Sequence, residues 1–396
     1  ILWAGIRVSL FGIRVSFSEF VGMFVQNCGY LPSPGKRRVT SKGCTGSVLW
    51  GKIVSAQRKE SFVKAAVFHG PRDVRFEEID RPVLKQGEVL LKVRACGICG
   101  SDLHTYRHGL FLQLGNPLDS GRVLGHEFSG EVVEINGQVS GVEIGDRVVC
   151  VGIGANAEFI RLTPQMLESL IHFDDSVSFV EAATTEPLAT SLHAARLGEA
   201  SDRETHVIMG AGIIGLGILQ CIKASVSARV ILVDLSEKRL AKARELGADI
   251  TINASDKNAV EEVLAITGSE QLHVVEAVQG NVDVVYDCAG YGKNFKGTSV
   301  LEQAMIMAKQ NGKVVIVAVF EQDVTIDYNI VVRKGIRVLG SWAWTRDEFV
   351  EAFELINSGK VDRKPLVSHT FELEQAGEAY ETQLLAEEAI KVVFKP

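Results

Sequence analysis

Residues 205–215 read THVIMGAGIIG, a short apolar run followed by three glycines at the spacing G-x-G-x-x-G. In this pattern Gly210 allows a tight turn after a strand, Gly212 lets the backbone approach a pyrophosphate, and Gly215 permits close packing of helix against strand. The helix that follows offers the free N–H groups of its first turn to the phosphates. The segment therefore predicts a dinucleotide-binding turn between a strand and a helix.

The sequence around this turn alternates between runs rich in Val and Ile and amphipathic segments. Such alternation is typical of a parallel sheet covered by helices on both faces. We predict a doubly wound α/β domain, a Rossmann fold, over residues 188–341. The predicted strands are Val207–Met209, Val230–Asp234, Ile250–Asn253, Val282–Asp287, Val314–Val319 and Ile336–Leu339, and the predicted helices are Ile213–Ala224, Glu237–Leu246 and Ala259–Thr267.

Asp234 ends the second predicted strand, 19 residues after Gly215. A carboxylate at this position can accept hydrogen bonds from the ribose hydroxyls of NAD, and it would repel the additional phosphate of NADP. The sequence therefore predicts NAD as the cofactor. Arg239 is interpreted as a contact to the adenine, with a solvated helix residue as the alternative.

Residues 62–187 hold many short strand-like runs separated by glycine-rich turns and show no strong helical pattern. They predict a compact β-rich domain. Residues 342–396 are expected to return to this domain, with one helix over Asp347–Ser358. The predicted strands are Val63–Phe68, Glu88–Ala95, Gly130–Ile135 and Val148–Val151.

Side chains that can bind a metal or transfer a proton lie in two segments of the β-rich domain. Residues 96–104 read CGICGSDLH, and residues 125–127 read GHE. Thiolate, imidazole and carboxylate groups are the ligand types that zinc selects, and hydroxyl and imidazole groups can move a proton to and from a metal-bound oxygen. A Cys-x-x-Cys pair alone also fits redox or packing roles. The spacing of residues leaves open which cysteine would bind a metal.

Composition narrows the function classes. The chain has 396 residues, enough for two domains, and its net charge of −7 gives no reason to expect a nucleic acid partner. Its seven cysteines are scattered and odd in number, which argues against a disulfide scaffold and for a reducing compartment. We expect a cytoplasmic protein with no membrane partner.

The first 61 residues differ from the rest. Residues 1–59 contain nine Lys or Arg and one acidic residue, and Arg7, Arg14 and Glu19 interrupt the apolar stretch too often for a membrane span. We expect residues 1–61 to be a disordered or non-native extension, because the chain starts with Ile1 rather than Met. An organelle transit peptide is the alternative.

From about Phe62 to Pro396 the chain resembles the medium-chain zinc-dependent alcohol and polyol dehydrogenases, and among them the 2,3-butanediol, sorbitol and threonine dehydrogenases. The resemblance implies a β-rich GroES-like catalytic domain beside the Rossmann domain, one catalytic zinc ion, NAD, a small alcohol or ketone substrate, and a homodimer or homotetramer. The segments that carry it are CGICGSDLH, GHEFSGEVVE, GDRVV, EPLATSLHA, GAGIIG, DLSEKRL and YDCAG.

The resemblance also implies a ligand set for the zinc ion. Cys99 would be the thiolate ligand and His126 the imidazole ligand. Glu127 and Glu186 would be the two carboxylates that bind zinc or hydrogen-bond its water. Because a catalytic zinc keeps three protein ligands and one exchangeable position, either carboxylate fits the third place.

A proton path is implied in the same way. Ser101 would receive the proton of the substrate hydroxyl, and His104 would pass it to water. Asp102 would orient a metal ligand through a hydrogen bond. The remaining candidates are interpreted as packing or surface residues: Cys96, His108, His193, Cys221 and Cys288.

One segment departs from the family pattern. These dehydrogenases usually insert a lobe with four closely spaced cysteines for a structural zinc, whereas residues 151–156 here read VGIGAN and only Cys150 is nearby. A tetrahedral structural site needs four N or S ligands. We therefore predict that the second zinc site is absent.

Four functions remain open. The favoured one is a zinc-dependent, NAD-linked dehydrogenase of a secondary alcohol, a vicinal diol or polyol. The alternatives are a threonine-type dehydrogenase, a zinc-free reductase of the quinone-reductase branch, and a non-catalytic nucleotide-binding remnant.

Overall fold

The computed structural model describes residues 61–109, 122–271, 278–290 and 297–396. The predicted extension lies outside them except for Ser61. The strands are β1 (Phe62–Gly70), β2 (Asp73–Asp80), β3 (Glu88–Gly97), β4 (Glu127–Asn136), β5 (Arg147–Val151), β6 (Phe159–Leu162), β7 (Ile171–His172), β8 (Thr205–Met209), β9 (Arg229–Asp234), β10 (Ile250–Asn253), β11 (Ser269–Gln271), β12 (Val278–Gly280), β13 (Val282–Asp287), β14 (Ala308–Ile316), β15 (Arg337–Gly340), β16 (Val367–Phe371) and β17 (Lys391–Phe394).

Eleven α-helices occur within the described ranges. None of them is long and apolar enough to span a bilayer. The helices are α1 (Gly100–His108), α2 (Pro164–Leu167), α3 (Phe179–Ala182), α4 (Thr185–Gly198), α5 (Ile213–Ser225), α6 (Glu237–Glu245), α7 (Ala259–Thr267), α8 (Val300–Met307), α9 (Asn329–Lys334), α10 (Arg346–Asn357) and α11 (Ala376–Leu384).

Six parallel strands form the sheet that the glycine-rich turn predicts, in the order β10-β9-β8-β13-β14-β15. Its residues alternate between two apolar cores: Ile208 belongs to one core, and Val207 belongs to the other. Helices therefore cover both faces, as the Val- and Ile-rich runs require. The strand order reverses between β8 and β13, where open α/β sheets bind their ligands at the carboxyl ends of the strands.

The second sheet lies in the β-rich part and is mostly antiparallel. Its strand order is β16-β17-β3-β4-β5-β7, and β6 also pairs with β3. Strands β16 and β17 come from the C-terminal part of the chain and join β3 through Val393 and Phe394. The C-terminal strands thus belong to the same sheet as β3. The fold is α/β, with a β-rich part and a Rossmann-type parallel sheet.

Two expectations about helices are wrong. The β-rich part contains α1 and two single-turn helices, α2 and α3, and residues 342–396 contain α11 as well as α10. Helix α1 is short and mostly polar, so its periodicity is weak, and its ends define it instead. Cys99 caps its N-terminus with extended backbone, and Gly109 ends it in the left-handed conformation at φ 67°.

Candidate active site

Asp102 connects the two segments that carry the candidate ligands. Its Oδ2 accepts the backbone N–H of Cys99 at 2.9 Å, and its Oδ1 accepts the N–H of Gly125 at 3.4 Å. His126 Nδ1 lies 3.8 Å from the same Oδ1. Burial raises the pKa of Asp102, and the neighbouring His126 opposes that rise. The carboxylate therefore links the two loops that carry the candidate ligands.

The loop before His126 is packed too tightly for any residue but glycine. Gly125 has φ +88°, and a Cβ there would lie 2.3 Å from Asn156 Oδ1 and 2.8 Å from Cys96 Sγ. Cys96 is fully buried against this loop, which agrees with a packing role for that thiol. Only one cysteine of the Cys-x-x-Cys pair joins the candidate metal ligands.

The short segment between β5 and β6 holds the same loop from its other side. The N–H groups of Gly154 and Ala155 donate to the carbonyl of Gly125 at 3.0 and 3.1 Å, and that of Asn156 donates to the carbonyl of Leu124 at 2.9 Å. This is where the family's cysteine-rich lobe is expected. In this chain the segment packs on the loop that precedes His126.

Cys99, His126 and Glu127 form a cluster whose ligand atoms all lie within 4.8 Å of one another, the one such metal-compatible cluster among the described residues. Although burial lowers the pKa of His126, the charges of Cys99, Asp102 and Glu186 raise it well above its usual range. The local field therefore favours a cation. Glu127 Oε1 is buried without a hydrogen-bond partner among the described residues. A sulfur, nitrogen and oxygen donor set of this kind fits zinc.

Glu127 also forms a fully buried ion pair with Lys391 of β17. Both side chains are 1% exposed, and Lys391 Nζ donates in addition to the carbonyl of Ile98 at 2.9 Å. A Cβ at Gly97 would lie 2.2 Å from Glu127 Oε2, so the glycine makes room for the carboxylate. Sequence reasoning did not identify Lys391, which lies alone in an apolar strand.

Glu186 lies in the first turn of α4. Its Oε1 accepts a hydrogen bond from Trp344 Nε1 at 3.0 Å, and burial raises its pKa while His126 lowers it. Glu186 lines the same cleft as Cys99 and His126. Glu127 belongs to the compact ligand cluster and Glu186 to the cleft wall, so both carboxylates stay candidates.

The cleft has a volume of about 460 Å³ and lies between the β-rich part and the parallel sheet. Ser101 and His104 line one wall. Ile214 and the carboxyl ends of β13 and β14 line the other. The cleft therefore brings the candidate metal ligands, the candidate proton path and the glycine-rich turn together.

Glu321 is a cleft residue that sequence reasoning missed. It follows β14, and three basic side chains of α1 contact its carboxylate. His104 Nδ1 lies 2.8 Å from Oε1, Arg107 Nη2 lies 2.6 Å from Oε1, and His108 Nε2 lies 3.1 Å from Oε2. The Glu321 side chain is 6% exposed. Its partners are more than two hundred residues away in the chain, so no local pattern indicates it.

The glycine-rich turn has the geometry that the fingerprint predicts. Gly210 adopts φ +104°, and a Cβ at Gly215 would lie 1.9 Å from the carbonyl oxygen of Gly210. A Cβ at Gly212, the residue before α5, would meet no atom within 4 Å, which leaves this backbone open to a ligand. Asp234 accepts the N–H of Ala211 at 2.6 Å, so its carboxylate lies beside the turn.

Arg239 binds a backbone carbonyl in the C-terminal part of the chain. Its Nε and Nη2 donate to the carbonyl of Ala389 at 3.2 and 2.6 Å, and burial lowers its pKa. The guanidinium thus joins α6 to the C-terminal part of the β-rich domain. Contact with an adenine stays a prediction.

The residues interpreted as packing or surface groups fall into two sets. His193 binds Glu348 through Nδ1 at 3.1 Å, and Cys221 is buried, which raises its pKa to about 12. Cys288 packs against one of the apolar cores and His108 is exposed, in agreement with that interpretation, and each makes one further contact. Cys288 lines the cleft, and His108 contacts Glu321.

A parallel sheet that carries a glycine-rich turn and shares a cleft with a thiolate, imidazole and carboxylate cluster is typical of a metal-dependent oxidoreductase. Comparisons with known proteins agree. The sequence model of the alcohol dehydrogenase GroES-like domain matches residues 85–170, and that of the zinc-binding dehydrogenases matches residues 214–358.

The chain is 30% identical over 366 residues to the (R,R)-butanediol dehydrogenase of Bacillus subtilis, covering 84% of this chain and 100% of the relative. It is 29% identical over 363 residues to the sorbitol dehydrogenase of the same species, covering 84% and 97%. The crystal structure of 2R,3R-butanediol dehydrogenase from Bacillus subtilis superposes with a TM-score of 0.71 at 29% identity, over 84% of this chain and 99% of that one.

The chain belongs to the medium-chain zinc-dependent alcohol and polyol dehydrogenase family. It is therefore an enzyme of the dehydrogenase class, with zinc and a nicotinamide nucleotide as the cofactors that the family supports.

Proposed function

We propose that the enzyme oxidises a secondary alcohol, a vicinal diol or polyol, with NAD, and reduces the corresponding ketone in reverse. The observation that carries the proposal is the cluster of Cys99, His126 and Glu127 beside a cleft that also exposes Ser101 and His104. The butanediol and sorbitol dehydrogenases to which the chain is similar act on such substrates by their names. A cleft of about 460 Å³ suits a molecule of that size.

We propose Cys99, His126 and one of Glu127 and Glu186 as the residues that hold a single zinc ion. Zinc would supply a Lewis acid that lowers the pKa of a substrate hydroxyl, and the nicotinamide would accept the hydride. Asp102 holds the two ligand loops at a fixed distance through the backbone N–H groups of Cys99 and Gly125.

The protein's own groups would move the proton. Ser101 lines the cleft, and its hydroxyl would take the proton of the substrate hydroxyl while it passes its own proton to His104, which would release it to solvent. Residues on the opposite wall, such as Val317 and Ile214, exclude water from the reacting carbon.

The choice of NAD over NADP rests on Asp234. Its carboxylate lies next to the glycine-rich turn, where it would accept hydrogen bonds from the ribose hydroxyls and repel a phosphate at the same place. Gly210, Gly212 and Gly215 would bind the pyrophosphate through the backbone.

We further propose domain limits of 62–187 with 342–396 for the GroES-like domain, and 188–341 for the Rossmann domain. A cytoplasmic homodimer or homotetramer is the assembly that we propose from the family.

The test is NADH formation with the stereoisomers of 2,3-butanediol, with sorbitol and with threonine, on a preparation whose zinc content is measured. We expect turnover of a diol or polyol and about one zinc ion per chain. Cys99→Ala should abolish both zinc binding and turnover, whereas Cys221→Ala, which removes a buried thiol outside the cluster, should keep both. Full activity without zinc would refute the metal mechanism, and preferred turnover of threonine would change the substrate class.

A further inference from the structure

Glu321 lies on the opposite wall of the cleft from His104, and the two side chains meet through a specific atom. His104 Nδ1 lies 2.8 Å from Glu321 Oε1. Arg107 Nη2 lies 3.5 Å from the same nitrogen, so the carboxylate is the closer of its two hydrogen-bond partners. Helix α1, which carries the histidine, belongs to the β-rich sheet's side of the cleft, and the carboxylate follows β14 of the parallel sheet.

This contact determines where the ring carries its proton. An ionised carboxylate only accepts hydrogen bonds, so Nδ1 must be the donor. Burial raises the pKa of Glu321, but the contact with His104 and the charge of Arg107 outweigh it and lower the pKa overall. Glu321 is therefore ionised near neutral pH. A neutral imidazole with its proton on Nδ1 has Nε2 as the acceptor.

We infer that Glu321 is a positioning residue of the dehydrogenase: it binds His104 Nδ1 and so keeps His104 Nε2 ready to accept the proton that leaves the substrate. The inference rests on the proposed proton path through Ser101 and His104. The proton that Nε2 takes is later released to solvent, and Glu321 stays ionised throughout, as an orienting carboxylate does.

The surrounding charges support this role. Burial lowers the pKa of His104, Glu321 raises it, and Arg107 and His108 lower it. The ring is therefore neutral near neutral pH and can act as a base. Arg107, which lies 2.6 Å from Glu321 Oε1, keeps the carboxylate ionised. Because His104 and Glu321 lie on opposite walls, the ring is correctly oriented only when the two walls are at this distance.

The experiment uses the zinc-loaded full chain, with (R,R)-2,3-butanediol and sorbitol as substrates and the pH dependence of kcat/KM as the readout. Glu321→Gln should lower kcat/KM by about 10- to 100-fold, the usual cost of losing a group that orients a histidine. It should also move the acidic limb to lower pH by about one unit, because His104 loses its negative neighbour.

Arg107→Gln should move the acidic limb in the opposite direction, because His104 then loses a positive neighbour. Glu321→Asp keeps the carboxylate and should restore part of the activity. The matched control is Glu348→Gln. Glu348 is also 6% exposed and also binds a histidine through Nδ1, His193, outside the cleft. This variant should leave the limb unchanged.

A double variant distinguishes the inference from the proposed function. If Glu321 acts through His104, His104→Gln with Glu321→Gln should lose no more activity than His104→Gln alone. Additive losses, or an acidic limb that does not move in Glu321→Gln, would overturn the inference while the dehydrogenase function stands. An His104→Gln variant as active as the wild type would instead overturn the proposed proton path.

A second readout does not depend on turnover. Nitrogen-15 NMR of the labelled histidines, with His104→Gln to assign the resonance among the nine histidines, reports the tautomer directly. We expect the Nδ1–H form of His104 in the wild type and a shift toward Nε2–H in Glu321→Leu, which has no acceptor. The same tautomer in both proteins would overturn the inference even if neither substrate were oxidised.

Discussion

Replacing Lys391 by Met should destabilise the protein more than the loss of any exposed ion pair. Lys391 and Glu127 are each 1% exposed, so the substitution leaves a carboxylate buried without its counter-charge. Breaking a buried pair from one side costs about 3–5 kcal/mol. The carbonyl of Ile98 also loses its donor, which adds about 1 kcal/mol. The expected loss is a large part of the about 5–15 kcal/mol that folded proteins have in total.

Urea denaturation after chelation of metal measures this loss. The control is Lys64→Met, which removes an ion pair with Glu374 whose partners are 45% and 47% exposed. That pair should contribute less than about 1 kcal/mol. If Lys391→Met does not fold, Lys391→Arg, which keeps the charge, is measured in its place. Equal small losses in Lys391→Met and Lys64→Met would refute the argument for a buried pair.

Adding zinc to the same samples distinguishes the two candidate carboxylate ligands. If Glu127 binds the ion, zinc replaces the missing positive charge and stabilises Lys391→Met by more than it stabilises the wild type. If Glu186 is the ligand, zinc stabilises both proteins by the same amount.

Three further substitutions test other buried groups. Burial lowers the pKa of Arg363 to about 10, so its charge penalises the folded state at every pH below that value by about 3 kcal/mol. Arg363 donates one hydrogen bond to Gln220, which Arg363→Leu loses. The substitution should still raise the free energy of unfolding, measured by urea denaturation, by about 2 kcal/mol; a lower free energy of unfolding would mean that the charge is compensated. Burial raises the pKa of Asp287 to about 6, so the folded state binds its proton more tightly and stability falls as pH rises from about 4 to 6. Asp287→Asn should remove that fall and gain up to about 3 kcal/mol above it, and an unchanged pH profile of stability would contradict this. Gly215→Ala places a Cβ 1.9 Å from a backbone oxygen of Gly210 and should weaken NADH binding, measured by fluorescence titration, by at least about tenfold; unchanged affinity would exclude this role of the turn.

The parallel sheet could be predicted from the sequence because the residue pattern that specifies each strand is local. Val207 and Ile208 lie on opposite faces of β8, and both faces are apolar, so a continuous Val- and Ile-rich run indicates the strand. The bounds of β10, α7 and β13 agree with the predicted ones. Helix α1 was missed because its caps define it rather than its apolar periodicity.

The candidate site likewise has residues that the sequence indicates and residues that it does not. Cys99, Asp102 and His126 lie in two short motifs whose residue types indicate their chemistry. Glu321 and Lys391 could not be found, because each meets its partner across 217 or more residues and neither lies in a recognisable motif. Such contacts depend on how the two sheets face each other, which no local pattern specifies.

The hydrogen bonds of Asp102 have a consequence for metal exchange. This carboxylate holds the backbone at Cys99 and at Gly125, the residue before His126, so the spacing of the thiolate and the imidazole is built into the polypeptide. In small zinc domains the ion itself creates that spacing, and folding and metal uptake are one event. In this protein, removal of zinc by a chelator should leave the thiolate and the imidazole at the same spacing. Zinc can then leave and return without refolding of the chain.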